Sequence, residues 1–461
     1  MEREQDEKNY FGVCDPGDRG YLGIVGYIYH YDQQRQPATA DSDINAILTK
    51  HGCDYCHTQS AELPFYASLP VAKQLMQYDI KTGSRHFDLN PTLNALRQDG
   101  AVPEVDLAKM EAVLQSGEMP PLRYKAVHWS GELGDADRQT LLNWIRAQRE
   151  RFYTRPGTPE ALRGQALQPL PESLPTDAQK VALGFRLFHD PRLSADNSIS
   201  CAHCHQLGAG GVDGRVTSLG VNDQHGPINA PTVFNAALNF SQFWDGRAAD
   251  LQQQAGGPPL NPIEMASTSW EQIIGKLDQD ARLKADFQRV YADGFSGDNI
   301  TDAIAEFEKT LLTPDSPFDR YLKGDDSALT AQQKRGYQLF RDNKCGTCHT
   351  GENLGGQSYE VMGLKADYFA DRGNLTEADN GRYNVTKNEA DRHRFKTPSL
   401  RNVALTAPYF HDGSVTSLHQ AVKDMLKYQV GVTLPDSDVD DLVALLDGMT
   451  GKYQPSAPPA N

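Results

Sequence analysis

Three copies of one five-residue pattern carry the chemistry of this sequence: Cys53-Asp54-Tyr55-Cys56-His57, Cys201-Ala202-His203-Cys204-His205 and Cys345-Gly346-Thr347-Cys348-His349. Cysteines at i and i+3 put both thiols on one side of a helical turn, where they can form thioethers with the two vinyl groups of one haem. The His that follows lies under the ring and can bind the iron. A zinc site favours two Cys-x-x-Cys halves closing around one ion, and a dithiol redox pair does not require a trailing His each time. With 7 Cys and 13 His in 461 residues, three such matches are not credible as accident. The expectation is three covalently bound c-type haems, with His57, His205 and His349 below the irons. Cys14 is left over, without an assigned role.

A haem iron with His on one side needs a sixth ligand or an open face, and a Met thioether raises the potential and suits electron transfer. For the first haem the downstream candidates are Met76, Met110 and Met119. The first two sit in helical apolar patterns (VAKQLM, LAKMEAVL), where Met is more often core. Met119 precedes Pro120-Pro121, in a segment that cannot be helix interior and so can present its sulfur to a ring face. The expected pair is His57 and Met119.

Elements must hold these groups. At ~150 residues per domain, the length suggests about three domains, one per motif. LPTDAQKVALGFRLFHD (174–190) and LTAQQKRGYQLFRDN (329–343) share a Thr, a Gln-Lys, a Gly and a Leu-Phe. Each is expected to be a Thr-capped helix leading into its haem site, which points to an internal duplication. LLNWIRAQRERFY (141–153) and DVDDLVALLDGM (438–449) carry apolar residues at i, i+3 and i+4, and strand signals are weak. The fold class is therefore mainly α, with three cytochrome c-like domains.

The expected divisions are an N-terminal segment (1–40), a monohaem domain (41–154), a Pro-rich linker (155–174), two further haem domains (175–325 and 326–453) and a disordered tail (454–461). The apolar run from Gly20 to Tyr31 is far short of the ~20 residues of a spanning helix. The stretch before it is acidic, the wrong sign for a signal peptide, so the first 40 residues read as an incomplete anchor or a disordered arm. Covalent haem attachment takes place outside the cytoplasm, so the protein is expected in the periplasm. A net charge of -16 repels phosphate backbones and argues against nucleic acid as a partner.

The segments GPINAPTVFNAALN (226–239), QFWDGRAADLQQQAGGPPLNPIEM (242–265) and FKTPSLRNVALTAPYFHDG (395–413) resemble bacterial dihaem cytochrome c peroxidases, over roughly residues 165 to 453. The additional N-terminal haem motif makes the whole chain similar to the tri-haem, quinol-oxidising branch of that family. The resemblance implies that the last two domains form a dihaem peroxidase unit, with a peroxidatic haem on His205 and an electron-transfer haem on His349. Met425, past His411 in HDGSVTSLHQAVKDM, matches the family's ligand to the high-potential haem. Where two-haem relatives that need reductive activation carry a distal His, this chain has Val221. His225 follows nearby, either as a surface residue or as a ligand that reaches round on a mobile loop. The second haem is accordingly expected to be five-coordinate at rest.

The same resemblance assigns Glu264 as the acid/base for peroxide, Gln254 as the amide that orients it, Phe243 as a lining of the distal pocket and Trp244 as the mediator between the two haems. A single base that becomes an acid serves both proton transfers of peroxide reduction, and burial raises the pKa of such a carboxylate. It also implies a calcium ion held by the Asn229 side chain and the Thr406 and Pro408 carbonyls, oxygen donors that suit a hard cation. The expected partners are hydrogen peroxide and, as electron donor, a quinol or a small cytochrome c. Branch members usually begin with an inner-membrane anchor, and this chain departs from them before about Gly20. Two alternatives stand beside the peroxidase: a MauG-like enzyme that oxidatively matures a partner protein, and a non-catalytic electron-transfer cytochrome. Met425 in place of that relative's Tyr argues against the first, and Val221 in place of a ligand argues against the second.

Overall fold

The computed structural model describes residues 16–33, 43–58, 61–126, 128 and 131–454. Cys14 and the tail beyond Gln454 lie outside them. Helices dominate, and the described strands are Tyr359–Val361 and Arg394–Lys396, paired antiparallel. The apolar run of the N-terminal segment lies within a helix, Pro16–Gln33. Among the described residues no helix is long and apolar enough to cross a membrane.

The chain divides into two compact units: Met1–Val102 with Met110–Ile145, and Pro103–Lys109 with Arg146–Asn461. In the first, Cys53–His57 forms a short helix entered through Gly52 at φ 68°, where a Cβ would strike the Tyr124 hydroxyl. Only glycine is comfortable there. The helix Pro70–His86 packs beside this motif, with Gly83 pressed against the Cys56 carbonyl.

The second unit contains both remaining motifs and is built on a repeated helix pair. Ala178–Phe188 crosses Gly297–Glu308, and Ala331–Asp342 crosses Asp436–Asp447. The glycine shared by the two similar segments explains the crossing. A Cβ on Gly184 would overlap the Ala303 carbonyl, and one on Gly336 the Asp441 carbonyl, so each helix pair meets backbone to backbone at its glycine. Around these crossings Leu187, Phe188, Ile300, Ile304 and Phe307 form one apolar core, and Phe340, Leu442, Leu445 and Met449 another.

The two helices begin differently. Ala331–Asp342 has the expected Thr cap, with Thr330 and Gln333 in a reciprocal capping box. Ala178–Phe188 is capped by Asp177 and not by Thr176: the Asp177 carboxylate accepts from the Gln179 and Lys180 amides at 2.8 and 3.2 Å. A carboxylate at a helix N-terminus also meets the positive end of the helix dipole, which favours Asp over its Thr neighbour.

The Pro-rich stretch lies along the second unit as a strap. Leu162 and Leu170 are buried, the Gln168 carbonyl accepts from Arg401 Nη2 at 2.8 Å, and the Leu170 amide donates to Asp319 Oδ1 at 3.1 Å.

Candidate functional site

In each motif the imidazole is fixed by the same device. His57 Nδ1 faces the Phe87 carbonyl at 3.1 Å, His205 Nδ1 the Gly211 carbonyl at 3.3 Å, and His349 Nδ1 the Leu354 carbonyl at 3.1 Å. A ring nitrogen facing a carbonyl carries the proton, which leaves Nε2 with its lone pair free for a metal. Burial lowers the pKa of His205 and His349 further, against their backbone hydrogen bonds, and so keeps both neutral.

The six motif cysteines form no disulfide. Burial pushes Cys56 and Cys204 up to about 11 and Cys345 and Cys348 up to about 12, and it raises Cys201 more strongly. Such surroundings disfavour the thiolates that zinc requires and accommodate neutral thioethers, so the donor set fits covalent haem. Lys396 fits the same group. It is 7% exposed, no hydrogen bond to its ammonium forms within the described residues, and burial lowers its pKa to about 8. An anionic edge such as a haem carboxylate is the counter-charge it lacks.

Around the second motif, the turn Gln242 to Ala248 closes through the Gln242 amide on the Ala248 carbonyl at 2.8 Å, and Phe243 stands at φ 68°. The Arg247 guanidinium lies 3.5 Å from the centroid of the Phe243 ring. Phe243 also faces Gly257, one turn beyond Gln254, on the helix that follows Leu251–Ala255. Glu264 is half-buried, and Asn261 Nδ2 donates to its Oε1 at 2.7 Å. Its pKa is raised because burial outweighs the opposing Arg247 charge and Asn261 hydrogen bond. The Val221 amide donates to the Glu264 carbonyl at 2.8 Å, and Gly220 is pressed against Ile263 and Glu264 backbone. Val221 itself is buried in the apolar core, whereas His225 is exposed on the next turn.

Phe243, Glu264 and Val221 are thus brought to one neighbourhood, joined by Arg247 and Asn261, to which sequence reasoning gave no role. Both carried a local signal: Arg247 closes the Phe-Trp-Asp-Gly-Arg turn, and Asn261 stands three residues before Glu264. Trp244 points elsewhere. Its Nε1 donates to the Asn229 carbonyl at 2.9 Å, its carbonyl accepts from the Lys396 amide at 2.8 Å, and its ring meets His411 edge-on at 6.4 Å.

Met425 ends the helix Leu418–Met425, half-buried, where the chain loosens into a π turn over Leu426–Val430. Single π turns recur at functional sites. Met119 is 43% exposed on the segment between Glu104–Ser116 and Leu122–Lys125, whereas Met110 is 7% exposed within its helix. Asn229 is buried, and its amide nitrogen is committed to the Arg215 and Val216 carbonyls at 2.9 and 3.3 Å, which leaves its Oδ1 as an acceptor. Its backbone amide donates to the His411 carbonyl at 2.8 Å, which ties it to the segment carrying Thr406 and the buried Pro408.

The family described as Di-haem cytochrome c peroxidase matches residues 178–327, and one described as Haem-binding domain matches residues 21–147. Cytochrome c peroxidase Ccp of Escherichia coli is 60% identical over 443 residues, 94% of this chain and 95% of that protein. Cytochrome c551 peroxidase of Pseudomonas aeruginosa is 47% identical over 314 residues, 65% of this chain and 90% of its own. Among solved structures, a MauG-like protein associated with microbial copper homeostasis superposes with a TM-score of 0.54 at 26% identity, covering 65% of this chain and 96% of that one.

Proposed function

From the chain's membership of the di-haem cytochrome c peroxidase family, which makes it a haem-dependent peroxidase, we propose that it carries three c-type haems and reduces hydrogen peroxide at the one held by His205. His57 and Met119 would hold the haem that supplies the entry point for electrons, and His349 and Met425 the one that supplies the relay. When bound, the haems supply the iron that takes up peroxide and the one-electron carriers that refill it. The observation that carries this reading is Glu264: half-buried, raised in pKa, gripped by Asn261 and backbone-bonded to Val221.

The protein's own groups divide the work. Glu264 takes a proton from one oxygen of the peroxide and returns it to the other, and Asn261 holds the carboxylate in one orientation for both transfers. Gln254 orients the peroxide, and Phe243 excludes water. Trp244 conducts between the two haem domains of the second unit. Asn229, Thr406 and Pro408 hold a calcium ion that fixes the segment against which Trp244 is set. The donor is a small cytochrome c or a quinol, and the protein works in the periplasm. The names of the two cytochrome c peroxidases support the cytochrome.

Steady-state peroxide consumption by the holoenzyme, with reduced cytochrome c and with a soluble quinol in parallel, tests the reading. Turnover with at least one donor, lost when Met119 is replaced by Ala, is expected. Failure with both would remove the first haem as the point where electrons enter.

A further inference from the structure

Beside Trp244 lies a buried polar cluster to which no role in the reaction has been given. His411 Nε2 meets Asp379 Oδ1 at 2.7 Å, with the two side chains 3% and 1% exposed. Arg372 binds Asp379 Oδ2 at 2.6 Å and also pairs with Asp412. Asp379, His411 and Asp412 bring ligand atoms within 4.8 Å of one another, as a metal site would, but the Arg372 guanidinium forms ion pairs with both carboxylates and supplies the cation. The cluster is wired to the indole twice. Trp244 donates to the Asn229 carbonyl, and the Asn229 amide donates to the His411 carbonyl. The His411 ring also stands edge-on to Trp244, and Phe395 stacks on His411 at 4.3 Å while meeting Trp244 at 6.5 Å.

Two carboxylates against one guanidinium leave the cluster with an excess negative charge, in surroundings walled by Phe369, Phe395 and Tyr368. Two further titratable groups face it: Tyr368, whose ring lies under Arg372, and His393, whose Nδ1 meets the Asp379 carbonyl at 2.7 Å and whose ring stacks on Phe369. A fixed negative charge in a low-dielectric pocket favours positive charge on its neighbour. We propose that Asp379, acting through His411 and balanced by Arg372, is a positioning and electrostatic residue for Trp244, lowering the cost of removing one electron from the indole. The indole gives one electron to the oxidised peroxidatic site, keeps its N–H proton on the bond to Asn229, and regains an electron from the relay haem. This rests on the reading of Trp244 as the conductor.

The test is single-turnover oxidation of the relay haem by peroxide in the fully reduced holoenzyme, followed by its absorbance, with the midpoint potentials of the haems measured alongside. W244F is expected to slow the step about a hundredfold and Asp379→Asn about tenfold, while Arg372→Gln speeds it a few-fold, because it removes the opposing charge. Neither charge variant should slow the step further when combined with W244F. A merely structural cluster would slow the reaction in both charge variants, and that result would overturn the proposal. So would an Asp379→Asn effect that persists at full size in the W244F background. If Asp379→Asn disturbs the Thr376 to Asp379 capping box it also occupies, the opposite-signed Arg372→Gln result decides alone. An unchanged rate in W244F would instead remove Trp244 as conductor, and the proposal with it.

Discussion

In the proposed reaction Glu264 carries the proton transfers, and its properties come from its immediate contacts. Desolvation raises its pKa, and Arg247 and Asn261 pull it back without cancelling the rise. A base must be ionised to take the first proton, so peroxide turnover should fall as pH drops through that raised pKa. The acid limb of the pH profile is expected above the ~4.3 of an ordinary Glu. Glu264→Gln should remove the limb and lower kcat by about 100- to 10,000-fold, a typical range for loss of a general acid/base. A pH–rate profile unchanged in the variant would show that the proton moves by another group. At this scale the sequence was readable where function is local: the Cys-x-x-Cys-His copies and the Asn-Pro-Ile-Glu turn lie in a few consecutive residues. The Asp379 and His411 pair was not, because its members are separated by 32 positions and neither belongs to a periodic pattern.

The helices are positioned by contacts that propensity alone does not reveal. Gly336 costs its helix roughly 1 kcal/mol relative to Ala in intrinsic terms. It is nevertheless required, because a Cβ would overlap the Asp441 carbonyl. Gly336→Ala should therefore destabilise the protein by about 1–3 kcal/mol, the usual cost of overpacking. Gly275→Ala, in a helix where a Cβ would meet nothing within 4 Å, should stabilise it by about 0.5–1 kcal/mol. Urea unfolding midpoints compare the two, and a stabilising Gly336→Ala would refute the backbone-to-backbone crossing. The duplicated segments made the helices legible, shared glycine included. Thr176 and Asp177 are adjacent potential caps, and only the folded chain shows the Asp177 carboxylate seated on the Gln179 and Lys180 amides.

Across the second unit, distant segments meet at one buried ion pair. Arg401 and Asp319, both side chains fully buried, pair at 2.6 Å. Arg401 also donates to the Glu352 and Gln168 carbonyls, and Asp319 accepts from the Leu170 amide, so the strap, the helix Pro317–Leu322 and the segment after the strand Arg394–Lys396 are fastened together. Arg401→Met leaves a buried carboxylate without its partner and should cost about 3–5 kcal/mol. A thermal unfolding midpoint equal to that of the parent protein would contradict this. The packing of 155–174 as a strap could not be read from its prolines, which mark irregular chain equally well whether it is free or held. The three motifs were readable, because each lies in five consecutive residues; that the last two share one compact unit was not, because the glycine-to-carbonyl crossings of that unit are contacts between distant segments.

In the proposed assignment the haem held by His205 would rest without a sixth ligand, while Met119 and Met425 would complete those held by His57 and His349. Electron paramagnetic resonance of the fully oxidised holoenzyme tests it most directly. One high-spin ferric signal beside two low-spin ones is expected, with peroxide turnover needing no prior reduction. Three low-spin signals, with none lost or gained on adding peroxide, would contradict it.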